Sequence, residues 1–107
     1  MIIAIDFDDT IHDKQHPIEG RRMGAPLEGA KQSLRTIRRR KHTIIIHTVM
    51  ANTESGKKCV EDWMKYYQIP FHAIEPKVRA DMYIDDRGYR FNDWSNTMSD
   101  IGRLTEK

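Results

Sequence analysis

The sequence predicts a single α/β domain, residues 1–107, built on a mostly parallel sheet. Two observations carry that expectation. Short apolar runs rich in β-branched residues, MIIAI at 1–5 and TIIIH at 43–47, read as buried strands. Between and after them, apolar residues recur at helical spacing: Leu27, Ala30, Leu34 and Ile37, then Val60, Trp63, Met64 and Tyr67. Strands that alternate with helices imply a parallel sheet with helices on its faces, here a Rossmann-like three-layer α/β/α sandwich.

The elements follow in order. Residues 2–6 form the first strand. Residues 7–25 carry Pro17, Gly20, Gly24 and many charges, and read as an irregular loop. Pro26 suits the first turn of a helix over 27–40, which ends in the basic run Arg38 to His42. A second strand covers 43–47. Asn52 is placed to cap a helix over 53–68, and Pro70 to stop it. Short strands are expected at 71–74 and 81–85. Asn92 or Asp93 would cap a last helix with Trp94, Met98 and Ile101 turned inward.

Composition narrows the class. Charged residues are 32% and hydrophobic residues 38%, which suits a polar globular domain rather than a disordered chain. The single cysteine, Cys59, excludes an intramolecular disulfide and reads as a small buried residue on the second helix. The N-terminal apolar run is short and broken by Asp6, so neither a signal peptide nor a membrane span is expected, and the location reads as cytoplasmic. Net charge is only +2. If a cation neutralises Asp6, Asp8, Asp85 and Asp86, however, 18 basic residues face 12 acidic ones. A mildly basic exterior around an acidic pit suits an anionic substrate that meets a bound metal.

In open parallel sheets ligands bind beyond the carboxyl ends of the strands. Three expected strands end in polar groups there: Asp6 with Asp8, Thr48, and Asp85 with Asp86. Lys77 lies shortly before the last of these. Parallel neighbours would gather carboxylates that could bind Mg²⁺, a nucleophilic carboxylate, a hydroxyl and an ammonium. That is a set suited to phosphoryl transfer.

IAIDFDDT at 3–10, TIIIHT at 43–48, Lys77 and YIDDR at 83–87 resemble, in order, the four motifs of the haloacid dehalogenase (HAD) superfamily. The resemblance implies a phosphatase with Asp6 as the nucleophile and Asp8 as the acid and base. Thr48 and Lys77 would bind the phosphoryl oxygens. Mg²⁺ would be held by the Asp6 carboxylate, the Asp8 backbone carbonyl and Asp86, with Asp85 assisting. An acid two residues after the nucleophile suits phosphate-ester hydrolysis. No stretch is long enough for a cap domain, so the chain resembles a minimal capless member, with 11–25 as a flap bearing His12, His16, Arg21 and Arg22. So open a site admits large substrates or is covered by another subunit, a homo-oligomer. Among capless relatives the chain is similar to the phosphatase part of polynucleotide kinase–phosphatases and to small phage and bacterial HAD proteins.

Not every polar or aromatic residue is expected at the site. Asp9 is read as a bystander. His12 and His16 read as surface-loop residues and His47 as a helix-facing core residue. Trp63, Tyr67 and Trp94 read as core or interface. The expected substrate is a phosphomonoester, on a small molecule or on the end of a nucleic acid. The alternative outside catalysis is a module that binds a phosphorylated partner. A phosphorelay receiver is excluded by motif order, because there the acidic pair comes first and the lysine last.

Overall fold

The computed structural model describes residues 1–105. It is a mixed α/β domain with a three-stranded parallel sheet and three α-helices. The sheet comprises β1 (Ile2–Ile5), β4 (Thr43–Thr48) and β5 (Ala73–Pro76), in the order β1-β4-β5. A separate antiparallel hairpin, β2 (His12–Pro17) and β3 (Gly24–Pro26), lies between β1 and the first helix. The helices are α1 (Ala30–Arg39), α2 (Glu54–Tyr66) and α3 (Trp94–Thr105), and a 3-10 turn covers Val49–Asn52. No described helix is long and apolar enough to cross a membrane.

The sheet is apolar on one face. Parallel register pairs Ile3 with Ile44, Ile5 with Ile46, and Ile46 with Ile74, so these side chains share a face. There Ile5, Ile44, Ile46 and Ile74 are buried. Both crossovers step the same way, and right-handed connections then set α1 and α2 on that same face. Leu34 and Ile37 of α1 and Val60, Trp63 and Met64 of α2 join the strands in one core with Phe7, Ile11 and Trp94. Each such fully buried side chain contributes about 1.5–3 kcal/mol.

β1 was expected to be buried and is instead an edge strand, with Ile2 and Ala4 exposed. The other sheet face carries Ile45 and His47, both half-buried, so His47 lies outside the core that Thr48 joins. The expected loop over 7–25 contains the hairpin, and Pro26 belongs to β3 rather than to a helix. Helix α1 starts later because Gly29 takes the left-handed conformation at its N-cap, φ 83°. Thr53, not Asn52, caps α2, its hydroxyl accepting from the Gly56 N–H at 3.0 Å. Asp93 caps α3 by accepting from the Asn96 N–H at 2.8 Å. Cys59 is exposed, whereas Trp63 and Trp94 are buried as expected.

The largest difference concerns 81–85. No strand forms there, and residues 78–90 are all exposed. Local bonds compete with extension. The Asp85 carboxylate accepts from the backbone N–H groups of Arg87 and Gly88, a turn closed by a side chain. The Tyr83 hydroxyl donates to the Val78 carbonyl at 2.5 Å, folding this stretch onto itself.

Candidate active site

Asp6 follows the last residue of β1, where the strand stops and the chain turns sharply. The turn is wound around one backbone oxygen. The Phe7 carbonyl accepts from the N–H groups of Thr10 (3.3 Å), Ile11 (2.9 Å) and His12 (2.9 Å). Asp9 sits in the left-handed region, φ 59°, a conformation that Asp tolerates better than most residues. Its carboxylate accepts from the Lys14 N–H at 3.2 Å and from Gln15 Nε2 at 2.9 Å, so it stabilises the turn.

The turn sets Asp6 and Asp8 at one end of the sheet. Thr48 reaches the same end from the neighbouring strand. It is buried, and its hydroxyl oxygen accepts from the Met50 N–H at 3.2 Å, which leaves the O–H free to donate. Lys77 follows β5 directly. Its backbone is held from both sides: its N–H donates to the Thr48 carbonyl at 3.2 Å, and its carbonyl accepts from Asn52 Nδ2 at 3.1 Å. Asn52 thus fixes Lys77 rather than a helix end, a role that nothing in its sequence neighbourhood signals.

Held this way, the Lys77 ammonium lies 4.0 Å from Asp6 Oδ1, at the outer reach of an ion pair. It also lies 4.2 Å from the centre of the Tyr83 ring, a cation–π contact. Four residues singled out from the sequence, Asp6, Asp8, Thr48 and Lys77, therefore come from three parallel strands to one end of the sheet. Burial pushes the Asp6 carboxyl above its ordinary value, Lys77 and the Phe7 N–H oppose that push, and the Asp8 charge adds to it.

Asp85 and Asp86 do not join this group. Both are exposed, and Asp85 is engaged in its own turn. The strand expected at 81–85, which was to carry them beside Asp6, does not form. Asp6 and Asp8 offer hard oxygen donors suited to Mg²⁺. As placed, though, no three His, Cys, Asp or Glu side chains converge as metal ligands among the described residues.

Beneath Asp8 lies an aromatic group that local sequence does not reveal. His12, expected on the surface, is only 4% exposed. Its ring stacks on Phe7 (centroids 5.0 Å apart, 14° between planes) and meets the edge of Trp63 at 5.4 Å. Its Nδ1 is 2.9 Å from Asp8 Oδ1. On the hairpin, His16 is exposed beside Asp13, Arg22 is exposed, and Arg21 lies over the Tyr66 ring at 5.5 Å.

No protein-family model matches this chain, and no curated protein matches it. Solved structures do. A conserved protein of Bacteroides thetaiotaomicron is 26% identical, with a TM-score of 0.70 over 97% of this chain and 91% of that one. A protein of Vibrio cholerae is 22% identical, with a TM-score of 0.68 over 98% of this chain and 96% of that one. The chain thus shares its α/β fold, nearly end to end, with solved proteins of two bacteria.

Proposed function

We propose that this chain is a phosphatase that hydrolyses a phosphomonoester through an aspartyl-phosphate, with a HAD-like fold and no cap. One observation carries the reading: Asp6 and Asp8 leave the end of β1 beside the Lys77 ammonium, with Thr48 at the end of the adjacent strand.

Asp6 attacks phosphorus while the bond from phosphorus to the ester oxygen breaks, and Asp8 gives its proton to that oxygen. The ionised Asp8 then takes a proton from water, which attacks the phosphoryl group and frees Asp6 with inorganic phosphate. Lys77 and the Thr48 hydroxyl hold the phosphoryl oxygens and offset charge that grows on them.

Mg²⁺, when bound, would supply further positive charge against the phosphoryl oxygens. In this reading its ligands are the Asp6 carboxylate, the Asp8 backbone carbonyl and Asp86, with Asp85 assisting. That set requires the 81–86 segment to approach β1. Two features favour the approach. The edge of β1 away from β4 has no partner strand among the described residues, and Met82, Tyr83 and Ile84 are exposed apolar residues. The same docking would supply the finer, HAD-like sheet.

The test is hydrolysis of p-nitrophenyl phosphate and a panel of phosphate esters, with and without Mg²⁺, by the full chain and by Asp6→Asn. Wild-type turnover that Asp6→Asn abolishes is expected. A folded wild-type protein that cleaves no phosphate ester sinks the proposal.

A second reading, a nucleotide or nucleic-acid end phosphatase, is favoured by one groove. It measures about 370 Å³ beside the hairpin, and its lining includes Arg21, Arg22, Trp63, Tyr66 and Tyr67. Cationic and aromatic side chains together suit phosphates and bases. Cleavage of a 3′- or 5′-phosphorylated oligonucleotide in preference to sugar phosphates would favour it, and the reverse preference removes it.

A further inference from the structure

We propose that His12 positions Asp8 for proton transfer, held to one tautomer by the backbone of Gly24. The inference deepens the phosphatase reading and rests on it.

The Gly24 backbone N–H donates to His12 Nε2 at 2.8 Å in a buried contact. A donor there requires a lone pair on Nε2, so the ring carries its proton on Nδ1. That N–H points at Asp8 Oδ1, 2.9 Å away. Oδ1 is thereby committed as an acceptor. Asp8 Oδ2 has no hydrogen-bond partner among the described residues, which leaves it to carry the proton that passes to the leaving group.

The imidazole cannot easily turn away. It is stacked on Phe7 and abuts Trp63, and Trp63 Nε1 donates in turn to the Gly24 carbonyl at 3.0 Å. Gly24 itself is boxed in, since a Cβ there would lie 2.1 Å from the Asp13 carbonyl oxygen. Asp8, His12, Gly24 and Trp63 therefore form one bonded chain from the acid, through the hairpin, to helix α2. A proton donor must hold its geometry closely, and a partner with a locked orientation supplies that constraint.

The experiment compares leaving groups. p-Nitrophenolate departs without a proton, whereas an alkoxide needs one. kcat and KM are measured for p-nitrophenyl phosphate and for an alkyl phosphate, with wild type, His12→Phe and His12→Asn. Phe keeps the aromatic packing and removes both hydrogen bonds. Asn restores an N–H towards Asp8.

For His12→Phe, kcat/KM on the alkyl ester, which reads the steps up to departure of the leaving group, should fall about tenfold to a hundredfold, while kcat/KM on the nitrophenyl ester changes less than about threefold. His12→Asn should recover much of the alkyl rate. A histidine that only filled the core would lower kcat/KM for both esters alike, and that outcome, or no change in either, overturns the proposal while leaving the phosphatase reading intact. If folded wild type cleaves no phosphate ester, the phosphatase reading itself falls and takes this one with it. If the Phe variant does not fold, long-range ¹⁵N–¹H correlation on wild type decides. A proton on Nδ1 supports the proposal, and one on Nε2 overturns it because Nδ1 could not then donate to Asp8.

Discussion

The two acidic segments of this molecule are built in opposite ways. Around Asp6 and Asp8, a backbone turn, a buried aromatic cluster and a lysine hold the carboxylates, and Trp63 and Lys77 come from far along the chain. Around Asp85 and Asp86, the bonds that the Asp85 carboxylate makes are local, and every residue from 78 to 90 is exposed. The first segment is a formed half of the proposed site. The second is tethered to it through Tyr83 and the Lys77 ammonium, without a strand to fix it. The difference teaches that an acidic motif becomes a site only when distant parts of the chain supply its partners.

The sharpest way to break that comparison is Asp6→Asn. It should abolish hydrolysis of every ester that wild type cleaves, read as loss of phosphate release. It should also stabilise the metal-free protein near neutral pH. The folded state binds the Asp6 proton more tightly than the unfolded chain does, so ionising Asp6 costs stability as pH rises through its titration. Melting curves in chelator should coincide for wild type and variant in acid, below ordinary carboxylate values, and diverge in favour of Asn as pH rises. A wild type that melts higher than Asp6→Asn at neutral pH contradicts the burial argument. The same shift moves the acid limb of any activity measured without metal upward, because attack needs the ionised carboxylate. Lys77→Met should move that limb further up, and a pH–rate profile reads it.

Stability separates the two regions next. Phe7→Ala removes a fully buried ring at the centre of the first region and should cost about 3–5 kcal/mol in denaturant unfolding. Trp63→Phe retains most of the ring contact but leaves the Gly24 carbonyl without its donor, a cost of about 1–3 kcal/mol. In the second region, Ile84→Ser should cost less than about 0.5 kcal/mol without metal, because Ile84 is 89% exposed. Repeating that measurement with Mg²⁺ sharpens the comparison: a clear loss there would mean that 81–86 docks when metal is bound. Asp9→Gly should change stability by less than about 0.5 kcal/mol in either direction, since relief of its left-handed backbone opposes the loss of its bonds to Lys14 and Gln15.

Much of the first region was legible in the sequence. Alternating strand and helix patterns placed the ends of β1 and β4 together, and with them Asp6 and Thr48. Lys77 followed because β5, though found two residues later than expected, still ends beside β4. The hairpin was not legible because HDKQHP has no apolar alternation and its closing partner is only three residues long. The burial of His12 depends on Trp63, far along the chain, so no local pattern could announce it. At 81–85 the signal misled. A short apolar run reads alike as a strand or as an exposed loop, and the turn made by Asp85 tipped the balance.

The Phe7 carbonyl has a last consequence, for how this site could diversify. Because the loop between the acids closes on a main-chain oxygen, its shape is carried by atoms that every residue shares. Side chains at positions 8 and 10 can be exchanged while the frame persists, whereas position 9 must tolerate a left-handed backbone. New chemistry at the end of β1 would then need only a new side chain at position 8, with no rebuilding of the loop that presents it.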